Sequence, residues 1–264
     1  MLVTGAGGLL GSWLRRTAPS DAAITSLVHR TAVPDGPTVT ADLRAADQVA
    51  AAFDAARPDL VIHAAMAVDE ASIVTATRHV AGAAAERGTE LLFVSTDAVF
   101  AGDGVLADED RDPEPIWDYG RWKVEAERIV LPGAAVVRLP LVVSLDPEDK
   151  AVERTRAAAE AGETIAWFAD ERRQPAMAIE LAQAIWRIAG LAPEVRAGVW
   201  HLMGPERLTR YEIAGRVAAA LGLRADVIRP EPTPPGLVRP RDLFLGSERA
   251  REEIGWDPTP ILGG

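Results

Sequence analysis

The sequence predicts an α/β protein built on a doubly wound parallel sheet. Short apolar runs alternate with amphipathic stretches through the first 140 residues. A glycine-rich turn joins the first run to the first amphipathic stretch. The chain has 264 residues, 48% hydrophobic and 25% charged, which is the composition of a globular domain rather than a disordered or fibrous chain. Strands separated by helices need crossover connections, and these place the strands parallel with helices on both faces.

The elements follow in order. Leu2–Thr4 is a strand stub, shorter than the usual five or so residues, as expected of a start that is trimmed or lies upstream. Leu9–Arg16 reads as a helix, Ala23–Val28 as a strand and Leu43–Ala55 as a helix with apolar residues at helical spacing. Asp59–His63 and Leu91–Ser95 read as buried strands, with the helix Ser72–Arg87 between them. Ile116–Val130 is helical and Ala134–Leu139 a strand. The second half is less regular. Pro147–Ala161 reads as helix, Thr164–Phe168 as strand, Ala178–Ala189 as helix and Gly198–Leu202 as strand. Thr209 followed by Glu212 is a capping-box pattern that opens a helix to Leu221. Pro230–Pro240 is too proline-rich for helix and reads as a loop or extended edge, and Ser247–Ile254 is a last short helix.

Charge and composition exclude several functions. Lys and Arg number 28 against 39 Asp and Glu, a net charge of −11, which disfavours nucleic acid and anionic membranes as partners. The chain has no cysteine, so disulfides, thiolate metal sites and a cysteine nucleophile are out. No His pairs at ligand spacing support a metal site. The first residues carry no basic start and no apolar run of signal-peptide length, and no stretch approaches the ~18 apolar residues of a membrane span. The expectation is a cytoplasmic protein.

Thr4-Gly5-Ala6-Gly7-Gly8-Leu9-Leu10-Gly11 carries the first functional signal. A tight strand-to-helix turn needs positive φ, a pyrophosphate needs bare backbone close by, and the helix N-terminus presents free N–H groups to phosphate. Gly5, Gly8, Leu9, Leu10 and Gly11 are therefore expected to bind a dinucleotide. The second strand ends at Val28-His29-Arg30, without the acid that would bind a ribose 2′-hydroxyl. Arg30, with His29, matches a 2′-phosphate, so NADP(H) is favoured over NAD(H).

Tyr119 and Lys123 stand four residues apart, on one face of a helix. They come from a chain with only two tyrosines and only Lys123 and Lys150 as lysines. A nearby ammonium is expected to lower the phenol's pKa, so that Tyr119 can exchange protons near neutrality. Ser95-Thr96-Asp97 ends a long strand, where side chains meet ligands in open α/β sheets. The Thr96 hydroxyl there would bind a carbonyl oxygen. Thr96, Tyr119 and Lys123 are the expected catalytic residues.

The turn's Gly-x2-Gly-x2-Gly spacing resembles the extended short-chain dehydrogenase/reductase superfamily. Ser95-Thr96-Asp97-Ala98-Val99-Phe100 with Trp117-Asp118-Tyr119-Gly120-Arg121-Trp122-Lys123 is similar to dTDP-4-dehydrorhamnose reductases and their sugar-nucleotide-binding relatives. His63-Ala64-Ala65, Val68-Asp69, Asp170 to Pro175, His201-Leu202 with Gly204, Arg239-Pro240-Arg241-Asp242 and Gly255-Trp256 extend the likeness over nearly the whole chain.

The resemblance implies a Rossmann-type domain over residues 1–142 and 165–200, with a small C-terminal substrate-binding lobe over 143–164 and 201–264. It implies NADPH-dependent reduction of a ketone on a nucleotide-linked deoxysugar or related polar carbonyl. Thr96 would be the catalytic hydroxyl, Tyr119 the proton donor and Lys123 the ribose-binding lysine. Asp42 and Leu43 would cap the adenine and Ala64 and Ala65 line the crevice. Met66, Asp97, Trp117, Arg239 and Arg241 would face the substrate. A homodimer through the Tyr119 helix is implied too.

Two departures stand out. Ile73 takes the position of the family's proton-relay Asn, and the helix after Asp69 is shorter than the family's. Two other functions share these motifs. One is a sugar-nucleotide epimerase or dehydratase with tightly held cofactor, although Ala98 stands where dehydratases carry a Glu after the Asp. The other is a non-catalytic dinucleotide-binding regulatory subunit.

Overall fold

The computed structural model describes residues 1–131 and 133–263. Its first half runs β1 (Leu2–Thr4), α1 (Leu9–Arg16), β2 (Thr25–Val28), β3 (Thr38–Thr40), α2 (Ala46–Ala56), β4 (Leu60–His63), α3 (Ala76–Arg87), β5 (Glu90–Thr96), α4 (Asp118–Val130) and β6 (Ala135–Leu139). The second half runs β7 (Val142–Val143), α5 (Lys150–Ala161), β8 (Ile165–Phe168), β9 (Arg172–Arg173), β10 (Ala176–Met177), α6 (Ala178–Ala189), α7 (Pro193–Arg196), β11 (Gly198–His201), β12 (Leu208–Thr209), α8 (Arg210–Ala220), β13 (Ile228–Glu231) and α9 (Glu248–Ile254).

Seven strands form one sheet in the order β11-β6-β5-β4-β1-β2-β3, and every pairing in it is parallel. Strand residues alternate between two cores because side chains alternate along a strand. Leu2, Val61, Phe93 and Val136 pack on one face with α2, α3 and α4, around Phe53 and Val80. Val3, Ile62, Leu92 and Val137 pack on the other, against Leu14 of α1 and Leu181 and Ile185 of α6. A sheet buried on both faces explains the apolar strands read from sequence. The strand order reverses between β1 and β4, and the crevice beyond the carboxyl ends of those strands is where such sheets take ligands.

Outside this sheet, β13 pairs with β8 and β12 with β9. Trp167, Ala158, Ala214 and Ile228 form a separate small core. Within the stretch read as a strand from Thr164, Ile165–Phe168 pairs with Ile228–Glu231 outside the central sheet. Nor does helix α5 begin at Pro147. Asp149 caps it by accepting from the N–H groups of Ala151 and Val152, so the helix starts at Lys150. The stretch read as one helix from Ser72 opens with a π-turn over Ala71–Thr75 and continues as α3. Thr209 and Glu212 form the capping box expected at the start of α8.

Candidate active site

The crevice is built first by the glycine turn. Gly5 has φ +67°, and a side-chain carbon there would lie 2.7 Å from the backbone nitrogen of Ala65. A side chain at Gly11 would run into the Gly5 carbonyl, so α1 can pack this close to the turn only with glycine. The Thr4 hydroxyl lies 2.7 Å from His63 Nδ1 and accepts from Ala65 N at 3.3 Å, tying the turn to the end of β4. His63 is buried, its Nε2 is 3.2 Å from the Thr77 hydroxyl, and burial pushes its pKa down to about 3, so the ring stays neutral. A cavity of about 180 Å³ lies against Gly7, Gly8, Ser12, Arg15, Val33 and Glu148. Bare backbone, the start of a helix and adjoining space fit a pyrophosphate.

At the end of β2, His29 and Arg30 are exposed. Arg30 makes no side-chain hydrogen bond or ion pair among the described residues. Asp42 is held by Arg44, whose Nη2 lies 2.7 Å from its Oδ2, and this keeps the carboxyl well below the usual range. His29 Nε2 is 3.8 Å from Asp42. Leu43 packs half-buried against the core beneath.

The turn after β5 and the start of α4 are clamped together. Trp117 donates its indole N–H to the Ala98 carbonyl at 3.1 Å. A side chain at Gly120 would lie 2.5 Å from that same oxygen. This brings Thr96 and Tyr119 together, and a hydrogen bond from the Thr96 hydroxyl to the phenol would lower the phenol's pKa. Trp117 also meets the Tyr119 ring edge-on at 5.3 Å. Thr96 Oγ1 donates to Asp97 Oδ1 at 3.1 Å and accepts from Ala98 N at 3.2 Å. Lys123 lies buried, donating from Nζ to the Val94 carbonyl at 2.8 Å and standing 4.5 Å from the Phe93 ring centroid.

The electrostatics differ from the sequence expectation. Lys123 is not among the groups acting on Tyr119. Burial and the Asp97 charge push the phenol up to about 12. Burial lowers Lys123 to about 8, with the Glu127 carboxylate opposing. The i, i+4 spacing is present, but the lysine side chain runs to the sheet rather than along the helix face.

Beneath the site lies a charged network that the sequence reading missed. Glu127 and Arg138 pair at 2.8 Å, both almost wholly buried. Ser95, beside Thr96, donates to Glu127. Arg138 Nη1 lies 3.2 Å from His201 Nε2, and His201 Nδ1 lies 3.0 Å from the Gly246 carbonyl. The signals were present: Glu127 is one turn past Lys123, and Arg138 is a lone charge in an apolar strand.

The residues expected to face the substrate come from several elements. Met66 is 66% exposed beyond β4, near Ala64 and Ala65, which are half-buried. Arg239 lies 3.1 Å from the buried Glu171 and within 6 Å of both the Trp117 and Phe168 rings. Arg241 pairs with Asp170 at 3.1 Å. Asp97 is buried within the turn itself.

Comparison with known proteins agrees in fold. The RmlD substrate binding domain model matches residues 1–260. Methionine adenosyltransferase 2 subunit beta from Bos taurus is 30% identical over 207 residues, 73% of this chain and 60% of that protein. The chain thus spans about 60% of the length of that relative. The probable low-salt glycan biosynthesis reductase Agl14 from Haloferax volcanii is 29% identical over 96% of this chain and 91% of that protein. A crystal structure of a hypothetical dTDP-4-dehydrorhamnose reductase from Sulfolobus tokodaii superposes with a TM-score of 0.85 at 25% identity, covering 99% of this chain and 97% of that one.

Proposed function

Because the chain belongs to the RmlD substrate binding domain family, we propose that it is an NAD(P)H-dependent oxidoreductase that reduces a ketone. The substrate class we favour is a 4-keto nucleotide-linked deoxysugar, and the cofactor NADPH. The observation that carries the reading is the clamp that holds the end of β5, with Thr96, against the start of α4, with Tyr119, together with a glycine turn shaped for a pyrophosphate. A reduced nicotinamide dinucleotide bound along the crevice supplies the hydride. Gly5, Gly8 and the start of α1 would hold its diphosphate, and Arg30 with His29 its 2′-phosphate. Lys123 would bind ribose hydroxyls; near neutrality it keeps its proton.

Tyr119 gives its proton to the substrate oxygen. A phenol pushed up to about 12 is fully protonated at neutral pH, which suits a donor. An alkoxide is a stronger base than a phenolate, so the transfer runs downhill. Thr96 binds the same oxygen and stabilises charge as it develops. Purified protein with NADPH and 4-keto nucleotide sugars tests this. Tyr119→Phe should lower kcat by about 10²–10⁴-fold with dinucleotide affinity retained. Unchanged turnover in that variant would refute the mechanism.

The 30% identity to an adenosyltransferase subunit favours a second reading, a dinucleotide-binding subunit without turnover. Tight NADPH binding, no consumption with any ketone and a co-purifying enzyme would support it.

A further inference from the structure

We propose that Asp97 is a positioning residue of this site: its carboxylate competes with Tyr119 for the single hydroxyl proton of Thr96. The inference rests on the reading of Thr96 and Tyr119 as the reacting pair. Thr96 Oγ1 already accepts from Ala98 N, and its one proton points to Asp97 Oδ1 at 3.1 Å. While it does, neither the phenol nor a substrate oxygen receives it.

The surroundings make the charged form of Asp97 costly. The residue is 5% exposed, and its Oδ2 is buried with no hydrogen-bond partner among the described residues. Among the described residues, the ionisable groups whose charges couple to it are Arg173 from β9, Arg210 from the start of α8 and Tyr119 from α4. Glu171, Arg239 and Asp242 lie behind Arg173. Arg173 gives its guanidinium to the carbonyls of Arg172 and Pro240, at 2.7 and 2.8 Å, and lies 3.5 Å from Glu171. Burial lifts Asp97 to about 6 against the pull of Arg173. Protonating Asp97 removes a charge that raises the phenol's pKa, and it frees the Thr96 proton. The neutral carboxyl is the state in which Thr96 can bind a carbonyl oxygen.

The phenol itself gives the test, without cofactor or substrate. Both tyrosines are replaced by 3-fluorotyrosine during expression, and the ¹⁹F signals are followed against pH. The fluorophenol's greater acidity brings the titration below strongly alkaline pH. Tyr211→Phe assigns the Tyr119 signal. Asp97→Asn should lower the Tyr119 titration midpoint by about one pH unit. With Asp97 intact, the Tyr119 signal should move through an inflection near pH 6, a readout that survives if the variant does not fold. An unmoved or raised midpoint in a folded Asp97→Asn protein, or a flat ¹⁹F response between pH 5 and 7, overturns the proposal. Ketone turnover is scored separately. Coupling without turnover would leave the proton competition standing and sink the reductase reading with the positioning role, and turnover without coupling would sink the competition alone.

Discussion

Lys123 reaches past its own helix to the sheet, where its ammonium donates to the carbonyl of Val94 at 2.8 Å. Burial there lowers its pKa from 10.5 to about 8, so the protein bears a cost for holding this charge. Below about pH 8 both folded and unfolded chains carry the proton and the whole cost is present. Between about 8 and 10.5 only the unfolded chain keeps it, so stability rises with pH across that window. The difference corresponds to ~3 kcal/mol. Lys123→Met should therefore stabilise the free protein at pH 7 by ~1–3 kcal/mol, the lost bond to Val94 offsetting part of the gain. It should also abolish the rise above pH 8 and weaken dinucleotide binding at least tenfold. Urea unfolding at pH 7 and 9.5, with calorimetric titration of NADPH, measures all three. A less stable variant that keeps the alkaline rise would contradict the argument.

Gly120 sets the distance between the β5 turn and α4. A side-chain carbon there would lie 2.5 Å from the Ala98 carbonyl oxygen and 2.9 Å from the Pro115 side chain. Both are constrained, so the helix must shift. Gly120→Ala should cost ~1–3 kcal/mol despite alanine's higher helix propensity. Because Thr96 and Tyr119 sit on the two sides of that contact, kcat should fall by more than KM rises. A variant as stable and as active as the parent would show that the two elements are free to separate.

How far the sequence reveals this protein depends on whether its signals are local. The strands β4 and β5 are legible because both of their faces are buried and their runs Leu60–Ile62 and Leu91–Val94 are apolar. The strand β3, Thr38–Thr40, is short and polar and leaves no such trace. The pairing of Ile165–Phe168 with Ile228–Glu231 depends on residues some sixty positions apart, which no periodicity encodes. In the site, the Tyr119–Lys123 spacing is visible, yet the lysine's direction is set by the Val94 carbonyl and the Phe93 ring on a neighbouring element. Arg138 is conspicuous as a charge in Ala135–Leu139, but its partners Glu127 and His201 emerge only when β6 meets α4 and β11.

Acid should unfold the protein through its buried histidines. His63 and His201 both fall from 6.5 to about 3 because burial disfavours their charged forms, with Lys123 and Arg138 respectively adding to it. Below pH 6.5 the unfolded chain takes up protons that the folded one refuses, so stability is lost as pH falls. Asp97 works the other way. Its pKa is raised from 3.8 to about 6, and between those values the folded state holds the extra proton. Two histidines against one aspartate leave about one net proton, or ~1.4 kcal/mol lost per pH unit between about 6 and 4. Urea unfolding at pH 6 and 5 should show that loss, and Asp97→Asn should steepen it to about twice the slope. Stability independent of pH in this range would mean that the histidines are hydrated in the folded state.

Cofactor choice should rest on Arg30. It lies at the end of β2, exposed, with no side-chain partner among the described residues, whereas nearby Arg44 is committed to Asp42 at 2.7 Å. A cation with no partner at that place is available to a 2′-phosphate, and the strand itself ends without an acid. A charge-assisted hydrogen bond of this kind contributes about 1.5–3 kcal/mol, so Arg30→Ala should weaken NADPH at least about tenfold. NADH has nothing for Arg30 to hold, and its affinity should change less than about twofold. The NADPH advantage should shrink as salt rises, since the contact is exposed. Calorimetric titration of both dinucleotides at low and high salt measures the difference. Equal losses for the two would move Arg30 from the 2′-phosphate to a part of the site they share, and no loss for either would leave the second strand's end without a role in discrimination.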